Sequence, residues 1–299
     1  MRVLVAVLLI VLSGVEVGVI TTARVTVRYD KNERRLARSL SRRADKILTR
    51  LEERVGLIYP DRIEIILASS KDLFRKAQPG STRVPDWAAA VAYPRLDLIV
   101  IKSPRAAPGQ DLNLILAHEM THLILGRIFH EGEIPVWLDE GLTMHLAGDW
   151  GLSRQIAMTR AVVSHRFIPL KQLAGGFPGD RIGAETAYAE SFYFIAFLRN
   201  RYGRNTVSRL IQNLGLGVTL DSALLQATGQ RNEELEDEFF RWLKLRFSIF
   251  PILTSSGVLW FLIALVVIIA WVKKKRAASR KMTYWEEEEE GRWQNPESF

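Results

Sequence analysis

The stretch that most limits how this chain can fold is His118-Glu-Met-Thr-His122, inside the apolar segment 114–126. Two histidines four positions apart on an α-helix differ by only about 40° in direction and about 6 Å in height, so both imidazoles can reach one metal ion. Glu119 lies about 100° further round the helix, beside such an ion rather than on it. A carboxylate there can take a proton from a metal-activated water. The segment therefore predicts a metal-binding helix with an adjacent base.

The residues around this motif indicate where the helix begins and ends. Asp111 follows a Pro-Gly pair and can cap the first turn, where a carboxylate also favours the positive end of the helix dipole. Gly126 is placed to end the helix. A buried imidazole needs a hydrogen-bond partner, so the alternative is a pair of satisfied core histidines beside an unrelated glutamate.

A catalytic zinc site needs a third protein ligand, because such sites have three protein ligands and one open position. The next predicted helix, 135–147, carries Glu140, and the connection 127–134 is long enough to fold it back against the first helix. Asp139 is a rival ligand on the same helix, and His145 is a weaker one.

The two motifs together resemble those of the gluzincin metallopeptidases: His118-Glu-x-x-His122, followed by Trp137-Leu-Asp-Glu140-Gly141. In that group a glutamate of the downstream helix is the third zinc ligand, which implies Glu140 here. Thermolysin-like members carry an acidic residue four positions after that ligand. This chain has Met144 there, so the group that orients the ligands is not assigned, although Asp139 could serve.

The resemblance is closest to the peptidase MA-like proteins of bacteria, which are often membrane-attached, and it covers roughly residues 23–247. It implies an α+β fold of gluzincin type within residues 24–250. A small N-terminal lobe with a mixed sheet would precede a zinc-binding helix pair and a helical C-terminal lobe. It also implies one zinc ion per chain and a peptide or protein substrate.

Two further site features are implied by the resemblance. In gluzincins an edge strand before the zinc helix binds the extended substrate, and residues 87–93 are the candidate, with a run of small alanines that would allow close approach. An ordinary buried strand is the alternative. A tyrosine on a helix after the third ligand can hydrogen-bond the oxyanion. Tyr188 is the candidate and Tyr193 the alternative, while simple core packing is the plain interpretation.

Composition excludes several kinds of chemistry. The chain has 299 residues, no cysteine and a net charge of +8. Without cysteine there are no disulfides, thiol nucleophiles or Cys-ligated zinc. The long helix predicted to end at Gly56 has a basic outer face, but no aromatic residues interleave with its arginines. No nucleic-acid partner is therefore expected.

The N-terminal segment resembles an export signal. The apolar run 3–12 follows a charged Met1-Arg2, which indicates a signal peptide over residues 1–23. An uncleaved anchor over 3–20 is the alternative, although Glu16 would be costly within a bilayer.

The C-terminal segment predicts a membrane anchor. Residues 251–272 carry no charge and are long enough to span the roughly 30 Å hydrocarbon layer. The basic cluster 273–276 follows at once and is typical of a cytoplasmic flank. The sequence thus predicts a single-pass protein of the cell membrane, with the lipid bilayer as a partner. Its catalytic domain would lie outside, and a charged, unstructured tail, 273–299, would lie in the cytoplasm.

Three functional classes fit these features. The predicted one is a membrane-anchored zinc metallopeptidase. The alternative is a catalytically inactive, peptidase-like membrane protein acting in binding or assembly. An intramembrane protease is disfavoured because the apolar stretch 112–125 is too short to span a bilayer and is bracketed by Asp111 and Arg127.

Overall fold

The N-terminal region folds into a five-stranded mixed sheet with the strand order β1-β2-β3-β5-β4. The strands are β1 (Val17–Thr21), β2 (Val25–Asp30), β3 (Ile63–Ala68), β4 (Ala90–Tyr93) and β5 (Leu98–Lys102). The three central strands run parallel to one another, whereas β1 and β4 pair antiparallel at the two edges. Every residue of β5 is buried, as its nearly continuous apolar sequence requires.

The structure is a computed structural model that describes residues 17–80, 84, 87–129, 134–149, 151–248 and 256–294. The chain divides into two compact units, residues 1–242 and 243–299. The helices within the described residues are α1 (Arg34–Val55), α2 (Lys71–Lys76), α3 (Leu112–Ile128), α4 (Val136–Ala147), α5 (Leu152–Val163), α6 (Arg181–Tyr202), α7 (Thr206–Gly215), α8 (Leu220–Thr228), α9 (Asn232–Phe247) and α10 (Ser256–Gln294). A small N-terminal sheet followed by a mostly helical body confirms the expected α+β class.

Helix α1 packs on the sheet because its apolar residues recur every three or four positions and form one stripe. The stripe is buried: Ala37, Leu40, Ala44, Leu48 and Leu51. The helix ends as predicted at Gly56, which adopts a left-handed conformation with φ 76° and donates its backbone N–H to the carbonyl of Glu52.

Helix α3 begins as expected but ends later than Gly126. The Asp111 carboxylate caps it by accepting from the backbone N–H groups of Asn113 and Leu114. The helix then continues through Ile128. A Cβ at position 126 would lie 2.6 Å from Cβ of Pro94, so the glycine serves close packing against the short 3-10 turn before β5 rather than helix termination.

The predicted membrane localisation is wrong. Among the residues that the structure describes, no helix combines the length and apolar character needed to cross a membrane. The predicted span begins in residues 249–255, which lie outside the described part of the chain. Helix α10 runs from Ser256 to Gln294. The same helix includes residues 273–294, most of the charged tail that the sequence predicts to be unstructured.

Part of the predicted signal peptide, residues 17–21, forms the edge strand β1. Residues 1–16 lie outside the described part of the chain, so the signal peptide stays a prediction. Within the same 1–23 segment, β1 pairs with β2 from Val17 opposite Asp30 to Thr21 opposite Thr26. An apolar strand and an apolar targeting segment have similar composition, so the sequence alone does not distinguish them.

One glycine decides how closely α4 and α6 can pack. A Cβ at Gly141 would lie 2.5 Å from the backbone oxygen of Ser191 and 3.0 Å from Cγ1 of Ile195. We expect Gly141→Ala to lower the free energy of unfolding by about 1–3 kcal/mol, because the clash is with backbone and cannot be relieved by a rotamer change. Urea denaturation followed by circular dichroism measures this. Gly175→Ala is the control, since a Cβ there meets nothing within 4 Å; equal effects of the two substitutions would contradict the packing argument.

Candidate metal centre

Three side chains from two helices bring their ligand atoms together. His118 and His122 on α3 place their Nε2 atoms 3.2 Å apart. Glu140 on α4 places Oε2 3.5 Å from Nε2 of His118 and 3.9 Å from Nε2 of His122. A tetrahedral ion with ligands at about 2.0–2.2 Å holds its ligand atoms about 3.3–3.6 Å apart. Among the described residues, these three are the group of metal-ligating side chains that could hold an ion.

The state of Glu140 also fits a metal. Its Oε2 atom is buried and has no hydrogen-bond partner among the described residues. A buried carboxylate oxygen without a partner is costly, and a cation at the centre of the three ligand atoms would satisfy it. Two imidazoles and one carboxylate are also the ligand types that catalytic zinc uses.

Asp139 lies on the far side of one of these imidazoles. Its Oδ2 atom is 2.9 Å from Nδ1 of His122, and Thr143 Oγ1 lies 3.3 Å from the same nitrogen. A proton on Nδ1, donated to Asp139, leaves the Nε2 lone pair directed at the other ligand atoms. The structure therefore does not bring Asp139 into the ligand group, and the carboxylate orients His122 instead.

The charges around the histidines favour a cation. Burial alone would lower the pKa of His122, but the carboxylates of Asp139, Glu140 and Glu119 outweigh it and raise that pKa to about 10. Burial would raise the pKa of Glu140, but His118 and His122 lower it overall. The cluster thus holds a positive charge strongly, and a metal ion at Nε2 can take the place of the proton.

Glu119 is close to the ligand group without joining it. The side chain is buried, with 8% of the residue exposed. Burial raises the pKa of its carboxyl, while the nearby histidines and a backbone hydrogen bond from Ala92 act in the opposite direction. A carboxyl with a raised pKa that faces a cavity is suited to accepting and returning a proton.

The ligand atoms face a cavity of about 680 Å³. Its walls include the β4 region 88–92, Leu114, Ile115 and Phe129, and its polar lining includes Tyr188 and Arg154.

Burial and the negative charges of Glu140 and Glu119 raise the pKa of Tyr188, so its hydroxyl stays protonated. The structure thus brings Tyr188 to the cavity. The alternative, Tyr193, is not among the lining residues and packs edge-on against Phe192.

An arginine that the sequence did not single out occupies the position near Met144. Arg154 on α5 donates from Nε to the sulfur of Met144 at 3.1 Å and from Nη1 to the carboxylate of Asp149 at 2.9 Å. Its charge adds to the effect of the two histidines in lowering the pKa of Glu140, and it partly opposes the rise in the pKa of Tyr188. No short spacing in the sequence marks it, because it reaches the site from a separate helix.

His145 does not belong to this site. It lines a different cavity together with Arg54 and Arg199, which lie on α1 and α6. Burial first, then the charges of Arg199 and Arg54, lower its pKa to about 4. The sequence-based suggestion of His145 as a weak third ligand is therefore wrong, because its side chain faces a different set of helices.

The edge strand β4 borders the cavity. Its residues pair with β5 from Ala90 opposite Ile101 to Tyr93 opposite Leu98, and the backbone N–H of Lys102 donates to the carbonyl of Ala89. Backbone groups in an antiparallel strand alternate in direction. The backbone polar groups of Ala90 and Ala92 are therefore directed away from β5, towards the open edge.

Comparison with known proteins assigns a family. Two crystal structures of an M1 zinc metallopeptidase from Deinococcus radiodurans, one of a point mutant, share 16% and 15% identity with this chain, with TM-scores of 0.44 and 0.41. Each covers 76% of this chain, which spans about half the length of those proteins, 52% and 51%. No curated protein matches. A family model described as the Peptidase MA superfamily matches residues 43–245, more than half of the sequence. The expected resemblance is thereby confirmed, and the chain belongs to the Peptidase MA superfamily.

Proposed function

We propose that the protein is a zinc-dependent peptidase that hydrolyses peptide bonds. One observation carries the proposal: the Nε2 atoms of His118 and His122 converge with a buried, unpartnered oxygen of Glu140, and Glu119 lies beside them. A structural zinc site would fill its coordination sphere with protein ligands. A three-ligand group that opens onto a cavity is what a catalytic site requires.

His118, His122 and Glu140 would hold the zinc ion. When bound, zinc supplies a Lewis acid that lowers the pKa of a coordinated water and polarises a carbonyl. Asp139 keeps the proton of His122 on Nδ1, so that Nε2 remains a ligand. This second hydrogen bond also fixes the plane of the imidazole.

Glu119 acts as the general base. Its carboxylate takes a proton from the attacking water and then passes it to the leaving amine. Burial raises its pKa, which makes it a stronger base than an exposed glutamate. The hydrogen bond from Ala92 holds the carboxylate against β4, beside the ligands.

Tyr188 donates a hydrogen bond to the oxyanion. The raised pKa keeps its hydroxyl protonated, and it lines the same cavity as Glu119 and Glu140. Its ring packs edge-on against Phe177, with 4.7 Å between centroids, which restricts its orientation. A positioned donor aimed at developing negative charge is worth a large factor in rate.

Strand β4 binds the substrate as an added strand. The outward carbonyls of Ala90 and Ala92 and the N–H of Ala90 offer hydrogen bonds to an extended peptide, while the N–H of Ala92 binds the Glu119 carboxylate. Small alanine side chains on this strand let a second backbone approach closely. A peptide held along β4 would pass in front of α3, which carries Glu119.

The first prediction separates catalysis from metal binding. Glu119→Gln should keep about one zinc per chain, because all three proposed ligands remain. Peptide hydrolysis should fall by about 10²–10⁴, the usual contribution of a positioned acid–base group. Zinc by plasma emission and turnover on a peptide library measure both. Glu185→Gln, an exposed carboxylate on α6, is the control and should leave turnover unchanged. Undiminished, chelator-sensitive turnover in Glu119→Gln would remove the role proposed for Glu119.

The second prediction concerns the oxyanion. Tyr188→Phe should reduce kcat by about 10²–10³ and leave zinc content intact, because the ring packing survives and only the hydroxyl is lost. KM should change less than kcat if the hydrogen bond forms mainly in the transition state. Tyr193→Phe removes the same atom from a tyrosine outside the cavity lining and should have little effect. If the two substitutions behave alike, or only Tyr193→Phe is slow, Tyr188 is not the donor.

A further inference from the structure

A second cavity, of about 430 Å³, shares no lining residue with the one at the proposed zinc ligands. Four helices contribute to it: Arg54 comes from α1, His145 from α4, Arg199 from α6 and Ser208 from α7, while Arg204 precedes α7. A volume of this size is in the range of small-molecule sites. The cavity lies at the C-terminal end of α4, where Gly148 also lines it.

The charge of this cavity is entirely positive among its described lining residues. Arg54, Arg199 and Arg204 line it, and no aspartate or glutamate does. None of the three guanidinium groups forms an ion pair with a described carboxylate; Arg54 donates instead to the backbone carbonyl of Leu146. Guanidinium groups stay charged at all ordinary pH values, so three of them around one cavity repel each other. An anion between them would relieve that repulsion.

Two neighbouring features relate to the positive charge of this cavity: the neutral imidazole of His145 partly reflects it, and the start of α7 adds to it. Burial first, and then Arg199 and Arg54, lower the pKa of His145 to about 4, so its imidazole is neutral near pH 7. The first turn of α7 faces the same cavity through Val207 and Ser208, and Asn205 before it makes no side-chain cap. Its backbone N–H groups add hydrogen-bond donors on the side where the arginines already lie.

We propose that this cavity binds an oxyanion of phosphate type, either free phosphate or a soluble phosphomonoester. Planar guanidinium groups match such an anion with paired hydrogen bonds. The volume exceeds that of phosphate alone, which leaves space for the group that carries it. The bound anion would connect α1, α6 and α7 at the end of α4.

Titration calorimetry of the full chain with inorganic phosphate, at constant ionic strength, tests the site. Saturable binding is expected. Arg204→Gln and Arg199→Gln should each weaken it about tenfold, the effect of one charge-assisted hydrogen bond. Arg42→Gln, an exposed arginine of α1 outside the cavity lining, is the control and should bind like the unaltered protein.

Two substitutions at Ser208 distinguish loss of phosphate binding from loss of folding. Ser208→Glu puts a carboxylate among the arginines, at a helix start that tolerates acids, and should abolish phosphate binding with the melting temperature kept or raised. Ser208→Gln should bind normally. Phosphate binding that survives Ser208→Glu, or is weakened equally by Arg42→Gln, would overturn the site. The assignment to a soluble ligand would be overturned if the protein sediments with phosphatidylglycerol vesicles but does not bind inorganic phosphate.

Discussion

The candidate centre depends on a buried carboxylate being carried to two imidazoles by the packing of α4 on α3. Glu140 Oε2 is buried and forms no hydrogen bond within the described structure, although it lies 3.5 and 3.9 Å from the Nε2 atoms of the two histidines; a cation between these three atoms would satisfy it. Asp139, one residue earlier on the same helix, hydrogen-bonds Nδ1 of His122 and so fixes the orientation of the ring. Two successive acids on α4 thus have different proposed tasks, because they reach opposite nitrogens of the imidazole.

The scaffold holds α3 firmly at the end beyond the histidines. Arg127 donates to the carboxylates of Asp61 and Asp97, the latter at 2.8 Å, and the hydroxyl of Tyr59 donates to Asp97 at 2.5 Å. Asp97 adopts a left-handed conformation, with φ 52°, in the connection between β4 and β5. The edge strand and the helix that carries Glu119 are therefore tied at one point. A substrate paired with β4 would be positioned relative to α3 by this network.

The sequence predicts the side-chain contacts that follow from spacing within one helix, but it does not predict the contacts between helices. The four-residue separation of His118 and His122 was sufficient to predict their convergence, since helix geometry is local. Glu140 was a candidate because it lies on the next predicted helix, but only the resemblance favoured it over the neighbouring Asp139. For Asp139 the sequence left open a role as rival ligand or as the group that orients the ligands, and it did not single out Arg154. Their contacts with His122 and Met144 join different helices, which spacing along the chain does not reveal. The membrane anchor was predicted from a charge-free run and its basic flank, but no helix among the described residues has the length and apolar character to cross a membrane.

The most direct test of the proposed ligand set is the zinc stoichiometry of variants at two neighbouring positions after dialysis against a low, buffered zinc concentration. We predict about one zinc per chain for the unaltered protein and a large loss in Glu140→Ala, which removes a ligand. Asp139→Ala should still bind one zinc at saturation, with affinity lowered about 10–100-fold, because only the orientation of His122 is disturbed. Full occupancy in Glu140→Ala together with loss of zinc in Asp139→Ala would contradict the proposed ligand set.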